Sequence, residues 1–247
     1  GEQQMISLGE RNEGYLAKVG EPLIQFYGYK TCGVWNSAEE IAANPHFSDD
    51  APGGIRIVDT NNDGSLTPED RVALGTPYPD FTWGITNTFQ IKDFDISFLI
   101  QGVQGITVLN GDVYYNETKK WNKKYTKNRW VSAEHPGDGK TPYQNVKTGH
   151  DLMLTDYPLQ NASYACLRNF TVGYTLPATA ARKIKLSGVR FYVSGSNLLY
   201  IWGSGYKGIN PESRMTSGNY SSAMISGYQR GGFPLTSTIS AGFDINF

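Results

Sequence analysis

The sequence predicts an all-β protein, an antiparallel transmembrane β-barrel segment with long extracellular loops. Three observations support this prediction: apolar and polar residues alternate over long runs, each run spans about 10 to 13 residues, and the connections between runs are alternately short and long. Strands of globular proteins most often have about 5 or 6 residues, whereas a strand that crosses a bilayer needs about 9 to 11. Run length therefore favours a membrane barrel.

Five alternating runs are present, and they begin at Phe81, Phe94, Tyr164, Val189 and Leu235. Their polar positions carry Thr, Ser, Asn, Gln, Asp and Gly, which suits a water-filled lumen. In the run from Tyr164 the even-numbered positions are apolar apart from Arg168, and we expect them to share one face. An antiparallel β-sandwich with one solvated face explains the same alternation, so both interpretations stay open at this point.

The connections between the runs are residues 92–93, 104–162, 177–187 and 200–234. Outer-membrane barrels join their strands by short periplasmic turns and long outer loops. We therefore expect residues 1–80 to form an extracellular loop region that holds the EF-hand-like loop 59–70, with an early strand as an option. Residues 81–247 would hold C-terminal barrel strands, with the loops 104–162 and 200–234 outside the cell and a short helix within 114–130.

Charge and motif content exclude several classes of function. Lys and Arg total 22 against 23 Asp and Glu, and the net charge is -1. The chain therefore lacks the excess of positive charge that is typical of nucleic-acid-binding domains. No convincing constellation for nucleophilic catalysis or phosphate binding occurs. Asp93 and Asp95 would face the same side of a strand, but at a barrel rim they are solvated charges rather than an acid–base pair. An enzyme is therefore not predicted.

Residues 59–70 space their oxygen-bearing side chains as an EF-hand loop does. Calcium takes six to eight hard oxygen ligands, and Gly64 at the sixth position allows the sharp turn. The twelfth position carries Asp rather than the longer Glu, so magnesium and a hydrogen-bonded Asx turn without metal remain alternatives. The predicted ligands of a structural calcium ion are Asp59, Asn61, Asp63, Ser65, Thr67 and Asp70.

Several stretches of the chain resemble the SusC/RagA family of TonB-dependent outer-membrane transporters of Bacteroidetes. They follow one another in the family's order and span most of the chain. They lie at 20–29, 33–41, 58–81, 92–102, 167–177, 193–198 and 210–212. Two short departures from the family pattern occur, Gly75-Thr76-Pro77 for Gly-Asn-Pro and Asn210-Pro211-Glu212 for Asp-Pro-Glu. Neither departure affects the expected fold.

The resemblance implies that this chain is the C-terminal part of a 22-stranded barrel in the outer membrane of a Gram-negative bacterium. The complete protein would import oligosaccharides or peptides, driven by TonB through an N-terminal part that is missing here, together with a SusD-like surface lipoprotein. That lipoprotein would cover the outer mouth of the barrel as a lid. Aromatic rings in the long loops either pack the loops or contact the substrate and the lid. The residues assigned to that contact are Trp130, Trp202 and Tyr206, and a barrel-assembly signal is assigned to Phe243, Ile245 and Phe247.

The competing interpretation is a secreted β-sandwich that binds carbohydrate and holds a structural calcium loop. In such a module the apolar stripes cover a core of the chain's own. The two interpretations therefore differ in whether the apolar faces of the long strands are buried by protein.

Overall fold

The computed structural model describes residues 3–5, 14–113, 127–143, 151–203, 205–213, 227–229 and 231–247. Two compact units are present. The first unit comprises Gly1–Tyr78, Ile106–Asn161 and Glu212–Gly232, and the second comprises Pro79–Gly105, Ala162–Pro211 and Phe233–Phe247. The helix predicted within 114–130 falls largely on residues 114–126, which lie outside the described residues.

Strands dominate both units. The strands are β1 (Gln3–Met5), β2 (Tyr15–Lys18), β3 (Gln25–Gly28), β4 (Thr31–Val34), β5 (Ile55–Ile57), β6 (Val72–Gly75), β7 (Phe81–Ile91), β8 (Phe94–Gln104), β9 (Thr107–Asn110), β10 (Leu159–Asn161), β11 (Tyr164–Thr175), β12 (Gly188–Trp202), β13 (Tyr228–Gln229) and β14 (Thr238–Asn246). The helices are α1 (Ala38–Ala42), α2 (Gly111–Val113) and α3 (Ala178–Lys183), with 3-10 turns at Pro68–Asp70 and Leu152–Leu154. Within the described ranges, no helix combines the length and the apolar character needed to cross a membrane.

The first unit consists of three small sheets. Their strand orders are β1-β2-β3-β6, β10-β9-β13 and β4-β5, and all pairs are antiparallel except β13 with β9. The region 1–80, expected to be a loop region with an early strand as an option, contributes six short strands among its described residues. Strands of three or four residues carry too few alternating positions to produce a recognisable period, which is why the sequence pattern did not indicate them.

Two hydrophobic clusters hold the first unit together. One consists of Tyr15, Ile24, Phe26, Leu109, Met153 and Tyr228. The other consists of Tyr29, Val34, Ile55, Ile57, Trp130 and Leu152. Residues far apart in sequence meet in each cluster, so the long connections of this unit are folded around cores of their own rather than extended.

The second unit is a single antiparallel sheet in the order β14-β12-β11-β8-β7. Three of its strands begin at Phe81, Phe94 and Tyr164, as predicted, and the two-residue turn Lys92–Asp93 joins the first two. β12 continues to Trp202, two residues beyond the start of the expected loop 200–234. The strands have 9 to 15 residues, which matches the length that a bilayer requires.

Strand register separates the two faces of this sheet almost completely. One row of paired residues crosses all five strands with apolar side chains only: Phe89, Ile96, Val172, Val193 and Ala241. The adjacent row points to the opposite face and carries hydroxyl groups only: Thr88, Ser97, Thr171, Ser194 and Ser240. Side chains on the apolar face are exposed, for example Ile239 at 74% and Phe243 at 65%.

A β-bulge at Arg168 corrects the predicted facing of β11. The register of β11 shifts between Leu167 and Asn169 against both of its neighbours, so the side-chain parity reverses at that point. Tyr164 and Cys166 therefore lie on the polar face and are buried, rather than sharing a face with Phe170 as the alternation predicted. Leu167 takes the place on the apolar face, opposite Ile100.

Replacing Phe98 by Lys tests the assignment of the apolar face. Phe98 pairs with Asn87 and Phe170, and its ring lies 6.1 Å from that of Phe89. A lysine at this depth of a bilayer should lower the unfolding free energy by about 2–4 kcal/mol. Ser97→Lys is the matched control, because position 97 lies on the hydroxyl row and should tolerate the charge. The measurement is urea unfolding of the full-length protein in lipid bilayers, and equal losses for the two variants would refute the assignment.

Candidate functional site

The predicted calcium loop follows β5 and ends in a 3-10 turn. Thr67 caps that turn, its hydroxyl accepting from the amide of Glu69 at 3.2 Å, and Pro68 occupies the first position, where a missing N–H costs nothing. Gly64 has a φ of +84°, a conformation that side chains with a Cβ rarely adopt. The loop backbone is therefore set by its capping residue and its glycine.

Asp70 closes the loop from within. Its Oδ1 accepts from the amide of Thr60 at 2.8 Å and its Oδ2 accepts from the amide of Thr67 at 2.8 Å. The side chain is fully buried. Burial opposes ionisation, but hydrogen bonds from the amides of Thr67, Thr60 and Asn61 outweigh it, and the pKa of Asp70 lies below its ordinary value.

The remaining predicted ligands surround the same loop. Asp59 Oδ2 accepts from the Gly64 amide at 2.9 Å, Asn61 Oδ1 from the Asp63 amide at 2.9 Å, and Asp63 Oδ1 from the Ser65 amide at 2.8 Å. This is a chain of Asx turns. Three of the predicted ligands thus accept hydrogen bonds from amides of the loop itself.

One atom of the loop lacks a hydrogen-bond partner. Asp59 Oδ1 is buried, and no donor contacts it among the described residues. Nowhere among the described residues, this loop included, are three or more His, Cys, Asp and Glu side chains arranged to hold a metal ion. A buried carboxylate oxygen without a donor fits a cation ligand, because calcium prefers such oxygens. Calcium binding in this loop stays a prediction.

The three rings assigned to substrate or lid contact differ in accessibility. Trp130 is 8% exposed, belongs to the second hydrophobic cluster and donates from Nε1 to Asn36 Oδ1 at 3.1 Å. Tyr206 is also buried, with its ring edge-on to Trp202 at 6.2 Å. Trp202 is 43% exposed and lies on the polar face, opposite Tyr164. Contact with substrate or a lid stays a prediction, and Trp202 offers the most surface for it.

The polar face also carries an ion-pair network that the sequence did not reveal. Arg190 on β12 pairs with Asp95 on β8 at 2.7 Å and with Asp244 on β14 at 3.3 Å. The pair with Asp95 crosses over Gly173 on β11, where a Cβ would overlap both charged groups. Asp95 is thus bound to a guanidinium rather than paired with Asp93 as an acid–base couple. Only the register between distant strands shows this, because Asp95 and Arg190 are 95 residues apart.

The bulge in β11 has a polar network of its own. Arg168 donates from Nη1 to Asn197 Oδ1 at 2.7 Å and to the Tyr200 hydroxyl at 2.9 Å. Asn197 has a φ of +56°, so β12 is irregular opposite the bulge. The sequence indicates this irregularity only through Arg168, the one charged residue among the otherwise apolar even-numbered positions of the run.

The residues assigned to the barrel-assembly signal lie at the end of the last strand. Phe243 and Ile245 are on the apolar face of β14, opposite Phe191 and Val189, and Phe247 follows the strand and is exposed. The side chains of Phe243 and Ile245 share one face, as the alternation predicted. Their role in assembly stays a prediction.

Acidification should open the loop 59–70. Because the pKa of Asp70 is lower in the folded state, its stabilisation is present above the ordinary carboxyl pKa of about 3.9 and is lost as the pH falls through the lower folded value. Asp70→Asn should remove this pH dependence and cost about 1–3 kcal/mol, because an amide nitrogen would face backbone N–H groups. Hydrogen exchange of residues 58–71 measures both effects in the full-length protein. Glu69→Gln is the exposed control, and equal protection in the two variants would contradict the role of Asp70.

Comparison with known proteins gives consistent relatives. The chain is 31% identical over 239 residues to TonB-dependent receptor P26 of Formosa agariphila, a match that covers 93% of this chain and 23% of the receptor. It is 26% identical over 208 residues to TonB-dependent receptor SusC of Bacteroides thetaiotaomicron, covering 84% of this chain and 19% of SusC. No family model matches the chain.

Solved structures support the same fold. The RagAB peptide importer in its closed-closed state matches 99% of this chain and 25% of the solved chain, with a TM-score of 0.68 and 20% identity. A second structure, of the RagAB peptide transporter, gives a TM-score of 0.71 with 19% identity and covers 24% of that chain. The chain spans about a quarter of the length of the relatives that it matches. The five-stranded sheet is therefore a segment of a β-barrel, and the chain belongs to the SusC/RagA family of TonB-dependent receptors.

Proposed function

We propose that this chain forms part of the wall and the outer loops of an outer-membrane importer of oligosaccharides or peptides. In this proposal the remainder of the receptor supplies the plug and the other strands, TonB supplies energy, and a SusD-like lipoprotein covers the outer mouth. The names of the relatives support the proposal, since they are receptors and a peptide importer rather than enzymes.

The observation that carries this proposal is the two-faced sheet. A row of apolar residues across five strands, exposed or half-buried, needs a hydrocarbon surrounding, and the adjacent row of hydroxyl groups needs water or polar protein. A secreted β-sandwich would bury the apolar face, yet Ile239 and Phe243 are mostly exposed. The exposed face therefore favours the importer over the carbohydrate-binding module.

Uptake by the native organism tests the proposal. Deleting the full-length gene should abolish uptake of one labelled class, either oligosaccharides or peptides, and the gene supplied in trans should restore it. Collapse of the proton gradient should stop uptake in the wild type and in the complemented strain. Intact uptake of both classes in the deletion strain, or recovery of the native protein in a soluble fraction, would refute the proposal.

Trp202→Ala should weaken uptake by the complemented strain. Loss of a stacking ring at a binding surface costs about 0.5–1.5 kcal/mol, and the apparent affinity for the imported solute should fall by a corresponding factor of about 2 to 13. Ile201→Ala is the matched control, because residue 201 lies on the apolar face of the same strand. Equal uptake kinetics for both variants and the wild type would remove Trp202 from the substrate path.

We also propose that the loop 59–70 binds calcium as a structural ion. Asp59, Asn61 and Asp63 would supply side-chain oxygens, and the buried Asp59 Oδ1 without a donor supports this assignment. Bound calcium would neutralise the carboxylates and hold the loop closed.

Calcium should raise the thermal unfolding midpoint of the full-length receptor after treatment with a chelator, because the ion binds the folded loop only. Asp59→Asn should abolish this shift, whereas the control Glu69→Gln should retain it. Calorimetric titration of the stripped receptor with calcium provides the binding signal. Identical midpoints with and without calcium would show that the Asx turns alone hold the loop.

A further inference from the structure

Four cationic side chains gather at one end of the five-stranded sheet. Lys92 lies in the turn between β7 and β8, and Arg182, Lys183 and Lys185 lie in the connection between β11 and β12. All four are exposed. The two connections, residues 92–93 and 176–187, contain Asp93 as their one carboxylate.

Backbone hydrogen bonds bring the two connections to the same edge of the sheet. The Thr175 amide donates to the Asp93 carbonyl at 2.8 Å, which joins the end of β11 to the first turn. The Ser187 amide donates to the Asn246 carbonyl at 2.8 Å, which joins the second connection to the end of β14. The cations therefore occupy a common rim, and the short connections at this end keep them close to the strand ends.

The charges on this rim are not neutralised by the chain. Among the described residues, no carboxylate forms an ion pair with Lys92, Arg182, Lys183 or Lys185. Arg190, close by in sequence, is engaged by Asp95 and Asp244 instead. The rim thus presents a net positive surface, whereas the whole chain has a net charge of -1.

Exposed apolar side chains adjoin these cations. Ile91 and Phe94 flank the first turn on the apolar face, and Ile184 lies between Lys183 and Lys185 with 57% exposure. At the edge of a hydrocarbon layer such apolar groups enter the layer, and long cationic side chains extend to the headgroups. An anionic lipid surface complements such a site, because its headgroups attract the cations and its hydrocarbon accommodates the exposed apolar side chains.

We propose that the rim formed by Lys92, Arg182, Lys183 and Lys185 binds the anionic headgroups of phospholipids in the leaflet that it faces. This rests on the proposed function for the membrane location and for the orientation, in which the short connections face the periplasm. The surface anchors this end of the wall at the hydrocarbon boundary, and its partner is a lipid surface rather than a protein.

Lipid titration of the purified full-length receptor tests this surface. Native mass spectrometry in mild detergent would count bound phosphatidylglycerol and, separately, phosphatidylcholine with the same acyl chains. The wild type should prefer phosphatidylglycerol. The triple variant Arg182→Gln, Lys183→Gln, Lys185→Gln should bind it at least about tenfold more weakly, since each cation near an anionic surface contributes about fivefold.

Two further triple variants control for net charge and for folding. The first variant removes the same charge from the first unit and should leave the preference for phosphatidylglycerol unchanged; it is Lys18→Gln, Lys30→Gln, Lys140→Gln. The second variant keeps the rim charge and should also keep this preference; it is Arg182→Lys, Lys183→Arg, Lys185→Arg. Barrel assembly of each variant is checked by its heat-dependent mobility on gels.

Three outcomes would overturn the inference. They are equal phosphatidylglycerol binding by the rim variant and the wild type, equal binding of the two lipids by the wild type, and displacement of the lipid by water-soluble glycerol phosphate, which would indicate a phosphate site. The uptake assay is scored separately. Normal uptake without lipid preference refutes the rim alone, and lipid preference without uptake refutes the import function alone.

Discussion

Backbone hydrogen bonding in an apolar surrounding is the constraint on which the second unit depends. Hydrocarbon offers no partner for an N–H or C=O group, so a spanning segment must satisfy these groups within protein. The antiparallel ladders of β14, β12, β11, β8 and β7 do so for the three inner strands. The outer edges of β7 and β14 need partner strands of a closed barrel, which agrees with a chain that spans a quarter of its relatives.

Face separation follows from that ladder, and its irregularities preserve it. Without the bulge at Arg168, the residues of β11 beyond it would present polar groups to the apolar side. The extra residue resets the parity, and its guanidinium is bound by Asn197 and Tyr200 on the polar side. Gly173 has a comparable role, because the absence of a side chain lets Asp95 and Arg190 meet across β11. The irregular positions thus allow the polar face to hold charge.

The first unit folds differently because its strands are short and its apolar residues are scattered. Two clusters of buried aromatic and aliphatic side chains replace the long alternating stripe. Asp70 stabilises the loop 59–70 by accepting backbone amides, which is how a buried carboxylate becomes favourable. Trp130, assigned to substrate or lid contact from the sequence, is buried here, since packing connections of this length requires large apolar groups.

The sequence by itself determined the long strands, the two-residue turn at Lys92–Asp93 and the hydroxyl-rich face, because period-two alternation is local and survives without tertiary context. The family was indicated separately, by the resemblance of motifs along the chain. The sequence also located the acidic loop 59–70. Tertiary structure alone decided the parity reversal at Arg168, the ion pairs of Arg190 and the burial of Trp130. Each of these depends on register or packing between residues distant along the chain, and no spacing within one segment encodes which strand becomes its neighbour.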